Sequence, residues 1–247
     1  MGRADFVERR DTMELDYTFM EATFFKIWDG IGVTLGLTAL SLLLSLPLAF
    51  YIAVIRLKRR GVASALFGSY VSFVRGTPMI LQILLLYSLL PSFLNVIVKS
   101  LGLSFNVFEN VNPFWYALFI FTVNTTALLT EVFRSALLSI PKGQLEAGQA
   151  AGLSDFQTYR HVIIPQAGVV ALPAICNVTV NLIKGTSLAF LMTVKDVLAI
   201  AKVEASFGYN YIEAYVDVFL VYLIVCSLVQ WGYKLAEDHL GQYRMAA

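Results

Sequence analysis

Five long runs without a charged side chain dominate the pattern of this chain. They are Gly30–Ile55, Gly76–Val98, Asn110–Thr130, Gln166–Ile183 and Val218–Tyr233, and charges gather between them. The runs are continuously apolar rather than alternating, which predicts helices and disfavours a barrel. About 20 mainly apolar residues carry a helix across the hydrocarbon of a bilayer. The last two runs are short and draw on the flanks 161–165 and 212–217. Five membrane-spanning helices are the simplest reading. The uncharged stretch Gly185–Val194 is too short to cross and is expected to be a half-span or re-entrant segment.

Composition agrees with this pattern. The 247 residues are 58% hydrophobic and 14% charged, where an ordinary soluble domain carries about 25% charge. So little charge cannot cover five apolar runs in water. It excludes a disordered chain and a disulfide scaffold. The net charge of +1 gives no bulk field for nucleic acid. The expected class is an all-α integral membrane protein. Cys176 and Cys226 fall inside runs and read as small packing residues.

Three parts are expected. Residues 1–29 carry seven acids and no signal-peptide pattern. They read as an extracytoplasmic tail with an interfacial helix around Phe19–Trp28. Residues 30–235 form the transmembrane part, with the loop 140–165 in the cytoplasm. Residues 236–247 are a cytoplasmic tail. The link Arg56-Leu57-Lys58-Arg59-Arg60 holds four bases, whereas residues 91–112 hold only Lys99. By the positive-inside rule the N-terminus lies outside and the C-terminus inside.

The loop 140–165 carries a readable pattern. Gly152 stops one short helix, and Ser154 with Gln157 forms a capping-box signal for the next. Ala147, Ala150 and Ala151 give one small, flat face, framed by Lys142 and Glu146. Such a face either lets a partner approach closely or belongs to a plain hairpin between two spans.

Glu146-Ala147-Gly148, three residues, Gly152, nine residues and Val162-Ile163-Ile164-Pro165 resembles the EAA loop of ABC-importer permeases. Further stretches resemble the polar amino-acid branch of that family. They are Arg75-Gly76-Thr77-Pro78-Met79-Ile80-Leu81-Gln82, Asn124–Arg134, Ile140-Pro141-Lys142-Gly143-Gln144, Ile164-Pro165-Gln166-Ala167 and Leu182-Ile183-Lys184-Gly185-Thr186-Ser187-Leu188. Two departures bear on a pathway: Gly185 stands where the branch has Asp, and Leu128 where it has Tyr. The resemblance implies a type I ABC-importer permease fold with five or six membrane helices. It implies a bacterial cytoplasmic (inner) membrane location and a second permease copy or paralogue. It also implies a cytoplasmic ATP-binding subunit dimer and an extracytoplasmic amino-acid-binding protein. The loop then becomes a coupling helix, with Lys142, Gly143, Gln144, Glu146, Ala147, Ala150, Gly152 and Pro165 at the ATPase contact.

The residues agree on several negatives. No phosphate-cradling G-x-x-x-x-G-K-[ST] loop occurs, so no cofactor is expected here and ATP use belongs to a partner chain. No metal or catalytic constellation is expected, so the chain reads as a non-enzymatic membrane subunit.

Polar and charged groups within spans are candidates for a translocation pathway. Arg75, Thr77 and Gln82 surround a helix break at Gly76 and Pro78. Arg75 either lines a pathway or pairs with Glu131. Asn124 and Thr125 lie mid-span and either line the pathway or bond neighbouring helices. Glu131 can pair with Arg134 one turn on. Lys184, Thr186 and Ser187 end the fourth span, where Gly185 can start a break. With no acid in the first two spans, a neutral zwitterion such as cystine or glutamine is favoured over a cation. The competing readings are an ion-coupled secondary amino-acid transporter and a structural paired permease subunit without its own substrate site.

Overall fold

The computed structural model describes residues 15–57 and 61–241, and all its regular structure is helical. Lys58–Arg60, residues 1–14 and residues 242–247, with the readings that fall on them, lie outside the described residues. Helix α1, Tyr17–Lys26, starts at Asp16, whose carboxylate accepts from the Phe19 N–H at 3.1 Å. A tight turn, Ile27–Gly30, leads directly into α2, Ile31–Leu57. Helices α3, Val62–Gly76, and α4, Met79–Ser100, follow. Helix α5, Pro113–Ser139, has Pro113 in its first turn, where its missing N–H costs nothing. The short helices α6, Gly143–Ala150, and α7, Asp155–Thr158, form the loop. A wider π-turn, Tyr159–Ile163, joins α7 to α8, Ile164–Gly185. Helices α9, Val197–Gly208, and α10, Tyr211–Gly241, close the described chain.

Five helical stretches are long and apolar enough to cross a membrane: Tyr17–Leu57, Met79–Ser100, Pro113–Ser139, Asp155–Met192 and Tyr211–Leu240. They match the five expected runs. Large apolar side chains such as Leu43, Leu48, Leu84, Leu89, Phe219 and Trp231 are exposed. In water this would be an aggregating surface, but against hydrocarbon it is the expected exterior.

Helix α5 is the centre of the bundle, with Ile120, Phe121, Ala127 and Leu129 fully buried. Helix α2 meets it along a seam of small residues, including Thr34, Thr38, Ser41, Ser45 and Ala49. Small side chains let backbones approach, and close packing drives helix association where no water is displaced. Ser45 donates across this seam to the Thr122 carbonyl at 3.1 Å. Cys226 is buried and Cys176 half-buried, both unpaired in the apolar core, as expected.

Three expectations need correction. Arg56 is not in a loop but in the last turn of α2, where it pairs with Glu131. Glu131 therefore does not pair with Arg75. Nor does Gly185 break the chain. Helix α8 tightens there into a narrower helical turn, Thr186–Met192, because Thr186 and Ser187 donate to the carbonyls of Ile183 and Lys184, each at 2.7 Å. The chain turns only at Thr193, which is left-handed at φ 59.

Candidate functional site

The first element of the site is the gap between α3 and α4. Pro78 lacks an N–H, so the Val74 carbonyl loses its ordinary helical partner. Buried Gln82 supplies the replacement. Its side-chain amide donates to the Val74 carbonyl at 2.8 Å, the Thr77 carbonyl at 3.1 Å and the Thr77 hydroxyl at 2.8 Å. Thr77 in turn donates to the Phe73 carbonyl at 2.9 Å. The Gln82 oxygen accepts from Asn124 at 3.0 Å, near the middle of the 27-residue α5. Tyr70 donates to the Val123 carbonyl at the same level. The break therefore sits deep in the bundle, with its freed backbone groups satisfied. Irregular backbone at membrane depth is tolerated only under such conditions.

Helix α8 carries the second element. Its Leu182 and Gly185 side faces α4 and α5, where a Cβ at Gly185 would lie 3.7 Å from the Met79 sulfur and 3.9 Å from Phe121. Its Cys176, Val180 and Ile183 side packs on Val225 and Cys226 of α10. The remaining side is open and carries Asn177, Asn181 and Lys184, all exposed. Their spacing of four and three residues aligns them on one face. Arg75 is also exposed, beside the break. None of these four side chains makes a hydrogen bond or ion pair among the described residues. The other cations near the bundle ends are engaged: Lys26 with Glu204 at 2.8 Å, Lys202 over the Phe190 ring at 3.9 Å, and Arg56 and Arg134 with Glu131.

The other pathway candidates are placed differently. Gln82, Asn124 and Thr125 are buried, and the first two are bonded to each other. Glu131 accepts from Arg134 at 2.8 and 2.9 Å and from Arg56, which clamps α2 to α5. Thr186 is fully buried, and Ser187 is half-buried with its hydroxyl on the Lys184 carbonyl.

The third element is the loop. Gly152 is left-handed at φ 83. The N–H of Leu153 bonds the Gly148 carbonyl at 3.0 Å and that of Gly152 bonds the Gln149 carbonyl at 2.9 Å, which closes α6. The expected capping box is present: Ser154 accepts from the Gln157 N–H at 3.3 Å, and Gln157 accepts from the Ser154 N–H at 2.9 Å. Gly148 is the pivot, since a Cβ there would meet the Thr158 side chain at 2.4 Å. Only a residue without a Cβ lets α6 lie this close to α7. Lys142, Gly143, Glu146, Ala147, Ala150 and Ala151 are exposed. Gln144 accepts from Gln166 at 3.3 Å, which ties α6 to the start of α8 beside Pro165.

Several relevant residues escaped sequence reasoning. Asn177 and Asn181 had a usable signal, their helical spacing to Lys184. Thr158 and Asp196 had none. Asp196 is fully buried, accepts from the Ala199 N–H at 2.8 Å to cap α9, and accepts from the Tyr222 hydroxyl at 3.2 Å. Burial pushes its carboxyl up to about 6.

Residues 45–241 match the family model described as binding-protein-dependent transport system inner membrane component. The chain is 33% identical over 221 residues to PatM of Vibrio harveyi, a probable amino-acid ABC transporter permease, covering 88% of this chain and 94% of that one. It is 31% identical to TcyB of Bacillus subtilis, an L-cystine transport system permease, covering 93% of each. Among solved structures, an amino acid ABC transporter crystallised with histidines superposes with a TM-score of 0.76 at 24% identity, covering 92% of this chain and 99% of that one. The fold is that of type I ABC-importer permeases. A deep helix break, an exposed polar stripe and a capped loop helix thus stand on a known scaffold, and the chain belongs to the family of binding-protein-dependent transport system inner membrane components, as an amino-acid ABC transporter permease.

Proposed function

We propose that this chain moves a polar amino acid inward across the cytoplasmic membrane, by alternating access driven by ATP hydrolysis on a separate cytoplasmic subunit. The observation that carries the reading is the exposed helix α6, held against α7 by the Gly148–Thr158 contact. It presents a small flat face to a partner groove, with Glu146 and Lys142 setting register. A second permease copy or paralogue completes the pathway, and an extracytoplasmic binding protein delivers the substrate. The loop faces the cytoplasm, the N-terminus the outside and the C-terminus the inside.

The pathway face is Arg75, Thr77 and the open side of α8, with Lys184 at its outer end. A charged side chain in hydrocarbon costs about 2.5–3.5 kcal/mol even on insertion scales. Arg75 and Lys184 therefore face a cavity or a partner rather than lipid. Gln82, Asn124 and Thr125 act behind this face by holding its backbone. Glu131 acts at one end of the bundle as a clamp. Relatives include permeases for L-cystine, nopaline and octopine. These names, with the acid-free depth of this chain, support a substrate recognised through carboxylate, and a cystine-like or glutamine-like zwitterion meets that requirement. An ion-coupled carrier is disfavoured, because the described spans hold no relay of exposed acids at depth.

The test is uptake by proteoliposomes holding the permease, its ATPase and its binding protein. Glu146→Lys should abolish uptake while the complex still inserts and the ATPase still binds nucleotide. Uptake at the wild-type rate in that variant would rule out a coupling role for α6.

A further inference from the structure

We propose that the face formed by the α3–α4 break and the open side of α8 receives a substrate with two carboxylates, one held near Arg75 and one near Lys184. This rests on the pathway reading above and narrows it. The two cations belong to segments that touch: Met79, four residues after Arg75, lies against Gly185, the neighbour of Lys184. Both side chains are exposed and have no hydrogen-bond or ion-pair partner among the described residues.

No acid in the described structure can neutralise them. Every acid within or near the spans is buried, engaged or far along the helices. Glu131 is held by Arg56 and Arg134, and Asp196 caps α9. Glu213 accepts from the Asp16 N–H at 3.2 Å, and Asp217 is only 2% exposed. The uncharged runs remove every other acid from this depth. A second copy of the chain would bring only the same two cations. Like charges facing each other away from water repel strongly, because the local dielectric is low. The arrangement therefore needs anionic groups from elsewhere, and the substrate is the component that enters.

One carboxylate answers one cation. An amino acid with a single α-carboxylate leaves the second cation uncompensated, whereas cystine, a dicarboxylic amino acid or a similar compound engages both. Asn177 and Asn181, on the same open face as Lys184, offer neutral amides that accept and donate. They suit the ammonium and polar atoms between two carboxylates without adding charge. Gly185 contributes by what it lacks. Its Cβ position meets only ordinary van der Waals neighbours at 3.7–3.9 Å, so a larger residue fits there. An acid in that place would sit beside Lys184 and compete for it.

The experiment is equilibrium binding of radiolabelled amino acids to the purified permease–ATPase complex, with the twenty common amino acids and L-cystine as probes. L-cystine, L-glutamate or L-aspartate should bind at least about tenfold more tightly than L-glutamine and L-arginine. Lys184→Gln and Arg75→Gln should each reduce that preference to within about threefold, and Lys184→Arg should restore it. Gly185→Asp should weaken the two-carboxylate ligands selectively. Thermal unfolding within the wild-type range shows that each variant is folded. The proposal fails if L-glutamine or L-arginine binds as tightly as the two-carboxylate ligands, or if Lys184→Gln leaves the preference unchanged. Persisting ATP-driven uptake of any amino acid would then leave the permease reading intact. If no amino acid binds or is taken up, both readings fail together.

Discussion

Asn124 donates to Gln82 at 3.0 Å, and this contact ties the broken segment between α3 and α4 to the middle of α5. The bond matters because Gln82 already stands in for the N–H that Pro78 cannot supply. One side chain thus closes a gap in a helix and docks that gap on the central helix.

Gln82→Leu should strand the Val74 and Thr77 carbonyls and the Asn124 amide. The loss should be about 1–3 kcal/mol for the unsatisfied groups, read as a lower unfolding temperature in detergent. Asn124→Leu should be less damaging, because Gln82 keeps its backbone partners. The double variant should lose little more than Gln82→Leu alone, since both changes remove one shared network. Strict additivity would show that the two residues act separately.

Gly148→Ala restores the family's usual residue, yet it should be destabilising here. The new methyl lies 2.4 Å from Thr158 and has no room to move away. Overpacking of this kind costs about 1–3 kcal/mol. Faster proteolytic cleavage between α6 and α7, together with reduced coupled transport, is the expected readout. Adding Thr158→Ala should recover most of both. A single variant with wild-type cleavage and transport would contradict the pivot role.

Glu131→Gln should loosen one end of α2 against α5. It removes the charge shared by Arg56 and Arg134 and leaves two half-buried guanidinium groups facing a neutral amide. The expected loss lies between that of an exposed pair and that of a buried one, about 1–3 kcal/mol. Arg56→Gln should cost less, because Arg134 remains on the carboxylate. Unfolding midpoints for the two variants, compared in the same detergent, decide the order.

Asp196 predicts a pH dependence. Burial raises its carboxyl from 3.8 to about 6 in the folded protein. The folded state therefore binds the proton more tightly than the unfolded one. The stability linked to this proton is fully present below about pH 4 and is lost as pH rises through about 6. A shift of this size corresponds to about 3 kcal/mol. Asp196→Asn keeps a good cap for α9 and should flatten the unfolding midpoint between pH 4 and 7. An unchanged slope in that variant would place the effect on another group.

The loop was the most legible part of the chain. Gly152, Ser154 and Gln157 act through backbone geometry and bonds to residues a few positions away, so their spacing carries the information. The same holds for the break at Gly76 and Pro78. Partners distant in sequence were not legible. Whether Glu131 meets Arg75 or Arg56 depends on which helix lies beside α5, and no local pattern encodes that. Gly185 misled for a related reason. A glycine permits a break but does not force one, and the hydroxyls of Thr186 and Ser187 held the helix together.

By itself the sequence determined the membrane class, the five spans, the capped loop and the absence of acids at depth. All of these follow from composition and short-range periodicity, because hydrocarbon tolerates so few alternatives. Only the tertiary structure decided which polar residues are tied up and which are open. It turned Gln82 and Asn124 into a buried brace, joined Arg56 to Glu131, and left Arg75, Asn177, Asn181 and Lys184 uncovered. The physical reason is that exposure at a given depth belongs to the packing of several helices, and no single helix contains it.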